Sequence, residues 1–273
     1  MAAFGSRLRA AMDQRGPLCA GIDPHGALLQ QWGLGDDIAG LERFSLTAAE
    51  ALAPVTAAIK PQSAFFERFG SRGIAVLEQT ITICREAGAQ VILDVKRGDI
   101  GSTAQAYADA YLRSHAPMAV DAITASPYLG FGSLQPMIDT AVANEAGVFV
   151  LALTSNPEGP QVQHARTARG TVAGEVLASL KSLNGDVGLG SFGAVVGATI
   201  GEADEDLAIN GPLLVPGIGA QGGTADDVRR IFAGALDLVL PSSSREILRA
   251  GPDVTALADA ARRSAEEFRA VLA

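Results

Sequence analysis

Short apolar segments alternate with helical segments along the whole chain, and this alternation most limits the folds that the chain can adopt. The apolar segments are rich in β-branched residues and end at polar residues, glycine or proline, as is typical of buried parallel strands. We predict eight strands, over residues 18–23, 55–59, 91–97, 121–126, 148–153, 193–199, 213–215 and 236–240.

The segments between these strands carry the apolar spacing of helices that cover a sheet, as Ile74, Leu77, Ile81 and Cys84 illustrate. We predict helices over residues 41–53, 103–114, 134–145, 171–183 and 253–272, a short acidic helix from Glu202, and a helix that Thr224 and Asp227 begin as a capping box. A short helix over residues 6–14 is expected to cover the bottom of the strands. Residues 156–169 contain two prolines and no clear period, which predicts a long loop, often a functional lid.

Eight strand–helix alternations fit a (β/α)8 barrel better than an open sheet. One such barrel takes about 250 residues, so a chain of 273 residues predicts a single domain over residues 1–273. Polar residues at the C-terminal strand ends support the barrel, because there these ends converge on one face, where barrel enzymes have their active sites. These residues are Asp23, Lys60, Asp94, Lys96, Ser126, Ser155, Gln221 and Arg245.

The amino-acid composition indicates which kinds of partner the chain is unsuited to bind and in which compartment we expect it. A formal net charge of -9 and a pI near 4.8 argue against binding to nucleic acid or to acidic membranes. No apolar run approaches the ~18 residues of a membrane span. Cys19 and Cys84 are the only cysteines and lack metal-type spacing, so we expect a reduced, cytoplasmic protein.

The third strand ends in a charged array, Asp94-x-Lys96-x-x-Asp99. Strand alternation directs Asp94 and Lys96 to the same side, and such charges are costly to desolvate unless they are paired or used in chemistry. A salt bridge that closes a barrel strand is one interpretation, and catalysis is the other. The flanking carboxylates argue against a Schiff-base lysine, because they favour the protonated amine. The three histidines, His25, His115 and His164, are scattered and do not predict a zinc site.

The seventh and eighth loops have the residue types of a phosphate site. Residues 216–223 (PGIGAQGG) surround Gln221 with glycines, which let backbone N–H groups approach an anion closely. Residues 242–245 (SSSR) add hydroxyl donors and the cationic fork of Arg245. Barrels commonly bind phosphate with these two loops. The glycines could also simply form tight turns.

Residues 93–101 (LDVKRGDIG) resemble the signature of the orotidine 5'-monophosphate decarboxylase family. Four further motifs occur in that family's order: 21–24 (GIDP), 60–62 (KPQ), 216–223 and 243–245 (SSR). The resemblance extends from Leu18 to about Leu248, and residues 154–157 (TSNP) are similar to the longer bacterial branch.

The resemblance implies decarboxylation of orotidine 5'-monophosphate to uridine 5'-monophosphate, without a cofactor or metal, by a (β/α)8 barrel. It implies that Asp94 faces the substrate carboxylate and that Lys96 donates the proton to C6 of the pyrimidine. It also implies that Asp99, with Thr103, reaches into the partner's site of a homodimer. The remaining implied contacts are Asp23 and Lys60 to the ribose, Ser155 to the pyrimidine, Gln221 to base and phosphate, and Arg245 to the phosphate.

Two alternatives remain at this stage. A hexulose-phosphate synthase shares the fold and the Asp-x-Lys-x-x-Asp pattern but requires a divalent metal, for which the first two strands should supply further acidic ligands. The chain has Asp23 on the first strand but Lys60 on the second. A phosphate-binding barrel without catalytic activity is the other alternative, and the intact Asp94, Lys96 and Asp99 set weighs against it.

Overall fold

Eight parallel strands form a closed barrel in the computed structural model, which describes residues 2–186, 188–201, 204–218 and 224–272. The barrel strands are β1 Cys19–Ile22, β2 Ala58–Pro61, β3 Gln90–Arg97, β4 Ala122–Ala125, β5 Gly147–Leu153, β8 Phe192–Val196, β9 Leu213–Pro216 and β10 Val239–Ser243. They follow this order around the barrel, and β10 pairs with β1 to close it. The predicted (β/α)8 barrel is confirmed.

Helices surround the barrel and connect its strands. They are α1 Phe4–Arg15, α2 Gly26–Gln31, α3 Ile38–Leu52, α4 Ala64–Glu67, α5 Gly70–Glu86, α6 Gly101–Leu112, α7 Gln135–Ala143, α8 Pro160–Gln163, α9 Val172–Asn184, α10 Ala225–Ile231, α11 Arg245–Leu248 and α12 Val254–Leu272. Thr224 and Asp227 form the predicted capping box at the start of α10. Among the described residues, no helix combines the length and the apolar character that a membrane crossing requires.

The apolar core has two layers, one inside the barrel and one between the strands and the surrounding helices. Helix α1 closes the N-terminal end of the inner layer, as the sequence predicted. Its Phe4 and Leu8 are fully buried, and the Phe4 ring meets the Phe149 ring edge-on with centroids 5.9 Å apart. Arg7 of α1 also donates to Asp121 at 2.8 Å, where it fastens the helix to the segment before β4. The opposite, C-terminal end of the barrel is left open for a ligand.

The observed strands differ from the predicted ones at their ends; β8, for example, ends at Val196, three residues before the predicted end at residue 199. Two of these differences affect residues of the cavity. Strand β2 begins at Ala58 and continues through Lys60 to Pro61, whereas the predicted strand covered residues 55–59. Strand β10 covers Val239–Ser243, and a 3-10 helix, Leu236–Leu238, occupies the start of the predicted strand. An apolar run does not by itself separate a strand from the helical turn that precedes it. The shift places Lys60 and Ser243 within strands, so the barrel backbone fixes their positions.

Two connections also differ from the prediction. The segment predicted as a long loop over residues 156–169 contains α8 and the first strand of an antiparallel hairpin, β6 Arg166–Thr167 with β7 Gly170–Thr171. The predicted acidic helix is wrong for residues 204–210, which form no helix, while Glu202 lies outside the described residues. The Asp206 side chain accepts from the Ala208 amide at 2.9 Å. Such side-chain-to-backbone bonds compete with helix formation.

Candidate active site

A cavity of about 590 Å³ opens at the C-terminal end of the barrel. Six residues that the sequence analysis singled out line this cavity: Asp23, Lys60, Asp94, Lys96, Ser155 and Arg245. They come from five different strands or from the loops that follow them, with Asp94 and Lys96 both on β3, so barrel closure brings together residues that are far apart in the chain. Gln221 lies outside the described residues. Apolar side chains of Leu151, Val195 and Leu214 line the cavity beside this polar set.

Asp94 is at the centre of the polar set and is bound from three directions. Its Oδ2 accepts from Lys60 Nζ at 3.0 Å, and its Oδ1 accepts from Lys96 Nζ at 2.7 Å. The hydroxyl of Thr124, at the C-terminal part of β4, donates to the same Oδ1 at 2.9 Å. Asp94 and Lys60 are 6% and 7% exposed, whereas the side chain of Lys96 is 46% exposed. Lys96 is therefore the ammonium that faces the open cavity.

This arrangement keeps both buried groups charged. Burial alone would raise the pKa of Asp94, but the Lys60 and Lys96 ammonium groups and their hydrogen bonds outweigh it and lower that pKa to about 2. Burial would likewise lower the pKa of Lys60, yet the Asp94 and Asp23 carboxylates raise it above its ordinary value.

The pH dependence follows from these directions. Asp94 contributes stability above its ordinary value of 3.8, and this contribution is lost as the pH falls through about 2. Lys60 contributes below its ordinary value of 10.5, and the contribution is lost only when the pH rises through its higher folded-state pKa. The pair is thus charged across the neutral range.

The backbone of β3 is irregular where it supplies Lys96. Leu93 pairs with Ile123 and Arg97 pairs with Ala125. An advance of four residues along β3 therefore matches an advance of only two residues along β4. Within this irregular stretch Lys96 adopts a left-handed backbone conformation, with φ +44°. Such a conformation costs a non-glycine residue about 1–2 kcal/mol, and it is found most often at functional sites. Simple strand alternation predicted that Asp94 and Lys96 point to the same side. Their side chains do meet, but the backbone that brings them together is irregular and not a regular strand.

The other end of the cavity has the residue types of an anion site. Ser242, Ser243, Ser244 and Arg245 line it, together with Gly217, whose φ of +96° only glycine adopts easily. Arg245 forms no ion pair with any residue in the described ranges. Within those ranges, the buried Asp23 Oδ1 and Ser244 Oγ also have no hydrogen-bond partner. Buried polar atoms are normally paired, so these two are suited to a polar ligand.

The segment after β5 folds against the cavity mouth. Gln163 of α8 makes two bonds with Thr154: its Oε1 accepts from the Thr154 amide at 2.9 Å, and its Nε2 donates to the Thr154 hydroxyl at 2.7 Å. These bonds hold α8 against Thr154, the residue before Ser155, at the cavity. Sequence reasoning missed Gln163 because the segment has no periodic pattern. It also missed Thr124, although strand alternation places Thr124 on the same face as Ser126, a residue that it did consider.

Asp99 and Thr103 do not line the cavity of their own chain. The Asp99 carboxylate accepts from the Ile100 amide at 2.8 Å, and Thr103 is exposed in the first turn of α6. The neighbouring Ile100 is 61% exposed. The structure thus brings Asp94, Lys96 and Lys60 together but leaves the third member of the Asp-x-Lys-x-x-Asp pattern, Asp99, outside the cavity of its own chain.

Metal ligands are the remaining question for this site. Within the described ranges, no group of three or more histidine, cysteine, aspartate or glutamate side chains is arranged to hold a metal ion. Both oxygens of Asp94 accept from ammonium groups, which occupy the directions that a cation would need.

We predict that Asp94→Asn lowers the free energy of unfolding at pH 7 by about 3 kcal/mol, because it leaves the buried Lys60 ammonium without its main counter-charge. Adding Lys60→Met to this variant removes the uncompensated charge and should recover at least half of the loss. Urea denaturation of the four proteins of this double-mutant cycle measures both effects. The exposed Asp259–Arg262 pair gives the control, since Asp259→Asn should leave the midpoint nearly unchanged. Additive losses at Asp94 and Lys60 would contradict the prediction.

Known proteins are similar to this chain over most of its length. Residues 16–260 match the model of the Orotidine 5'-phosphate decarboxylase / HUMPS family. An orotidine 5'-phosphate decarboxylase of Nocardioides sp. is 64% identical over 98% of this chain and 100% of its own length. One from Streptomyces coelicolor is 61% identical over 98% of both chains.

Solved structures extend the comparison to the fold. A Streptomyces avermitilis protein, provisionally described as an orotidine 5'-phosphate decarboxylase, superposes with a TM-score of 0.97 at 60% identity, over 100% of this chain and 96% of its own. The Leishmania donovani OMP decarboxylase superposes with a TM-score of 0.74 at 31% identity, over 99% and 98% of the two chains. With a family model that matches most of its length and relatives of this identity over the whole chain, the chain belongs to the Orotidine 5'-phosphate decarboxylase / HUMPS family.

Proposed function

We propose that this chain decarboxylates orotidine 5'-monophosphate to uridine 5'-monophosphate, a step of pyrimidine biosynthesis, with Lys96 as the proton donor. The relatives that are more than 60% identical over the full chain carry the name of this activity. The observation that carries the proposal is the Lys60–Asp94–Lys96 network at the cavity. Of its two ammonium groups, Lys60 is buried and Lys96 is exposed to the cavity.

The chemistry requires one proton and a place for one electron pair. When the bond between C6 and the carboxylate breaks, CO₂ leaves and the electron pair stays on C6 of the pyrimidine. The Lys96 ammonium stabilises this developing negative charge and then donates a proton to C6, which forms the C–H bond of the product. Asp94 and Lys60 keep that ammonium in place, and the apolar neighbours Leu151 and Val195 limit the water around it.

Asp94 also acts on the substrate. A carboxylate placed about 4 Å from the Asp94 carboxylate is repelled by ~4 kcal/mol at an effective dielectric constant of ~20. This repulsion ends when CO₂ departs, so it favours the transition state over the bound substrate. Because the pKa of Asp94 is about 2, the repelling charge is present throughout the neutral pH range.

Binding energy for this unfavourable approach comes from groups far from C6. In our proposal Arg245 and the loop of Gln221 bind the phosphate, Asp23 and Lys60 bind the ribose hydroxyls, and Ser155 binds the pyrimidine. The two unpaired buried atoms, Asp23 Oδ1 and Ser244 Oγ, support a polar ligand at this end. Interactions with such non-reacting parts of a substrate can offset repulsion at the reacting centre.

We further propose that two chains form a homodimer in which Asp99 and Thr103 of one chain complete the site of the other. Asp99 lies two residues beyond the end of β3, the strand that carries Lys96, yet it does not line the cavity of its own chain. The exposed side chain of Ile100 beside it supports burial against a second chain.

The metal-dependent synthase is the less favoured alternative. Its enediolate chemistry needs a divalent cation, whereas both oxygens of Asp94 here accept hydrogen bonds from ammonium groups.

Orotidine 5'-monophosphate should lose its absorbance when purified protein is added, and excess chelator should not change the rate. Lys96→Met removes the proton donor and should lower kcat at least ~10³-fold, within the range of about 10²–10⁴-fold that a general acid contributes. Lys181→Met, which removes a lysine of the exposed Lys181–Asp206 pair, is the matched control and should retain full activity. Activity that disappears with chelator and returns with magnesium would instead support the synthase.

Arg245→Ala should lower kcat/KM for orotidine 5'-monophosphate about 100-fold, because a charge-assisted bond to phosphate contributes roughly 1.5–3 kcal/mol. The same change should alter kcat/KM for the nucleoside orotidine less than about threefold. Arg249→Ala, four residues further along and away from the cavity, should affect neither substrate. An equal effect of Arg245→Ala on both substrates would remove Arg245 from the phosphate site.

Mixing the inactive variants Lys96→Ala and Asp99→Ala under conditions of subunit exchange should restore about a quarter of wild-type activity. About half of the randomly mixed dimers are heterodimers, and each has one site without a lesion. Lys96→Ala mixed with Asp94→Ala is the control, since each of these lesions stays in its own chain's site, every site then carries one lesion, and no activity should return. If labelled subunits exchange and the first mixture still recovers nothing, Asp99 acts within its own chain.

A further inference from the structure

Thr124 holds two members of the charged network at once. Its Oγ1 accepts from the Lys96 backbone amide at 2.9 Å and donates to Asp94 Oδ1 at 2.9 Å. The residue is 1% exposed, and it lies on β4, so its position depends on the barrel and not on a loop. No other described side chain is recorded as bonding both the backbone of Lys96 and the carboxylate of Asp94.

The irregular pairing of β3 explains why a side chain is needed there. Between Leu93 and Arg97 the regular β3–β4 register is interrupted, and it resumes at Arg97, whose carbonyl accepts from the Ser126 amide at 2.8 Å. Within this irregular stretch the Lys96 N–H donates to the Thr124 hydroxyl, whereas in a regular strand pair it would donate to a carbonyl of β4. Backbone donors in such positions must find a substitute acceptor.

We propose that Thr124 is a positioning residue for the proton donor. Its hydroxyl holds Lys96 at φ +44° and holds Asp94 Oδ1 in the orientation that receives Lys96 Nζ at 2.7 Å. Without the hydroxyl, Lys96 can relax toward an ordinary strand conformation, which moves its ammonium away from C6 of the substrate. This inference rests on the proposed decarboxylation and adds to it a residue that acts through Lys96 and Asp94.

A different donor or acceptor at this position would not give the same result. Only a hydroxyl can accept from the Lys96 amide and donate to a carboxylate with one atom. Valine has nearly the shape of threonine but lacks both functions, whereas serine keeps both functions and lacks the methyl group. The two substitutions therefore separate the hydroxyl from the packing of the side chain.

The test compares Thr124→Val and Thr124→Ser with wild type in steady-state decarboxylation of orotidine 5'-monophosphate. Thr124→Val should lower kcat about 100-fold, the scale expected for a misplaced reacting group, while KM and the Kd for uridine 5'-monophosphate change less than about threefold. Thr124→Ser should retain kcat within about fivefold. Thr80→Val is the matched control, because Thr80 is a fully buried threonine whose hydroxyl donates to the Val76 carbonyl at 2.8 Å far from the cavity, and kcat should be unchanged.

A crystal structure of Thr124→Val gives an independent measurement. We expect Lys96 to leave the positive-φ region and its Nζ to separate from Asp94 Oδ1. A variant that keeps both features, or a Thr124→Ser variant as impaired as Thr124→Val, would overturn the proposal. If Thr124→Val does not fold, the pair Thr124→Ser and Thr124→Ala makes the same comparison of hydroxyl against none. Absence of decarboxylation in the wild type would instead refute the proposed function itself.

Discussion

The ion pairs of Asp94 with Lys60 and Lys96 are the interaction on which the site depends. A buried carboxylate between two ammonium groups stays ionised where burial alone would favour its neutral form. The same contacts keep Lys60 protonated although it is almost fully buried. A buried ion pair adds little stability over apolar residues of the same size, so its presence in a barrel mouth is better explained by chemistry than by folding.

The barrel supplies the rigidity that this network requires. Lys60 and Asp94 come from adjacent strands, β2 and β3, and Thr124 comes from the next strand, β4. Their side chains reach one another because the strand register fixes the relative heights of the three backbones. Helix α1 fills the opposite end with Phe4 and Leu8, so the barrel can be packed at one end and open at the other.

Close packing around the site also limits which residues can occupy it. A Cβ atom on Gly21 would lie 2.7 Å from Ser244 Cβ, so glycine on β1 allows Ser244, which follows β10, to lie close to this strand. Lys96 shows the reverse case, in which a residue with a large side chain occupies a left-handed position. In our proposal the chemistry needs an ammonium at that point, and the surrounding hydrogen bonds offset the backbone strain.

The sequence by itself determined the fold class and most of the polar residues at the cavity. Apolar strand periods and the length of the chain predicted the barrel, and polar residues at strand ends predicted Asp23, Lys60, Asp94, Lys96, Ser155 and Arg245, because these signals are local. The tertiary structure alone decided which of them touch: the Lys60–Asp94 and Thr124–Asp94 bonds join residues 34 and 30 positions apart. It also decided the positive φ of Lys96, the fastening of Gln163 to Thr154, and the absence of Asp99 from its own chain's cavity. Each of these depends on strand register and on contacts between distant segments, which no local pattern encodes.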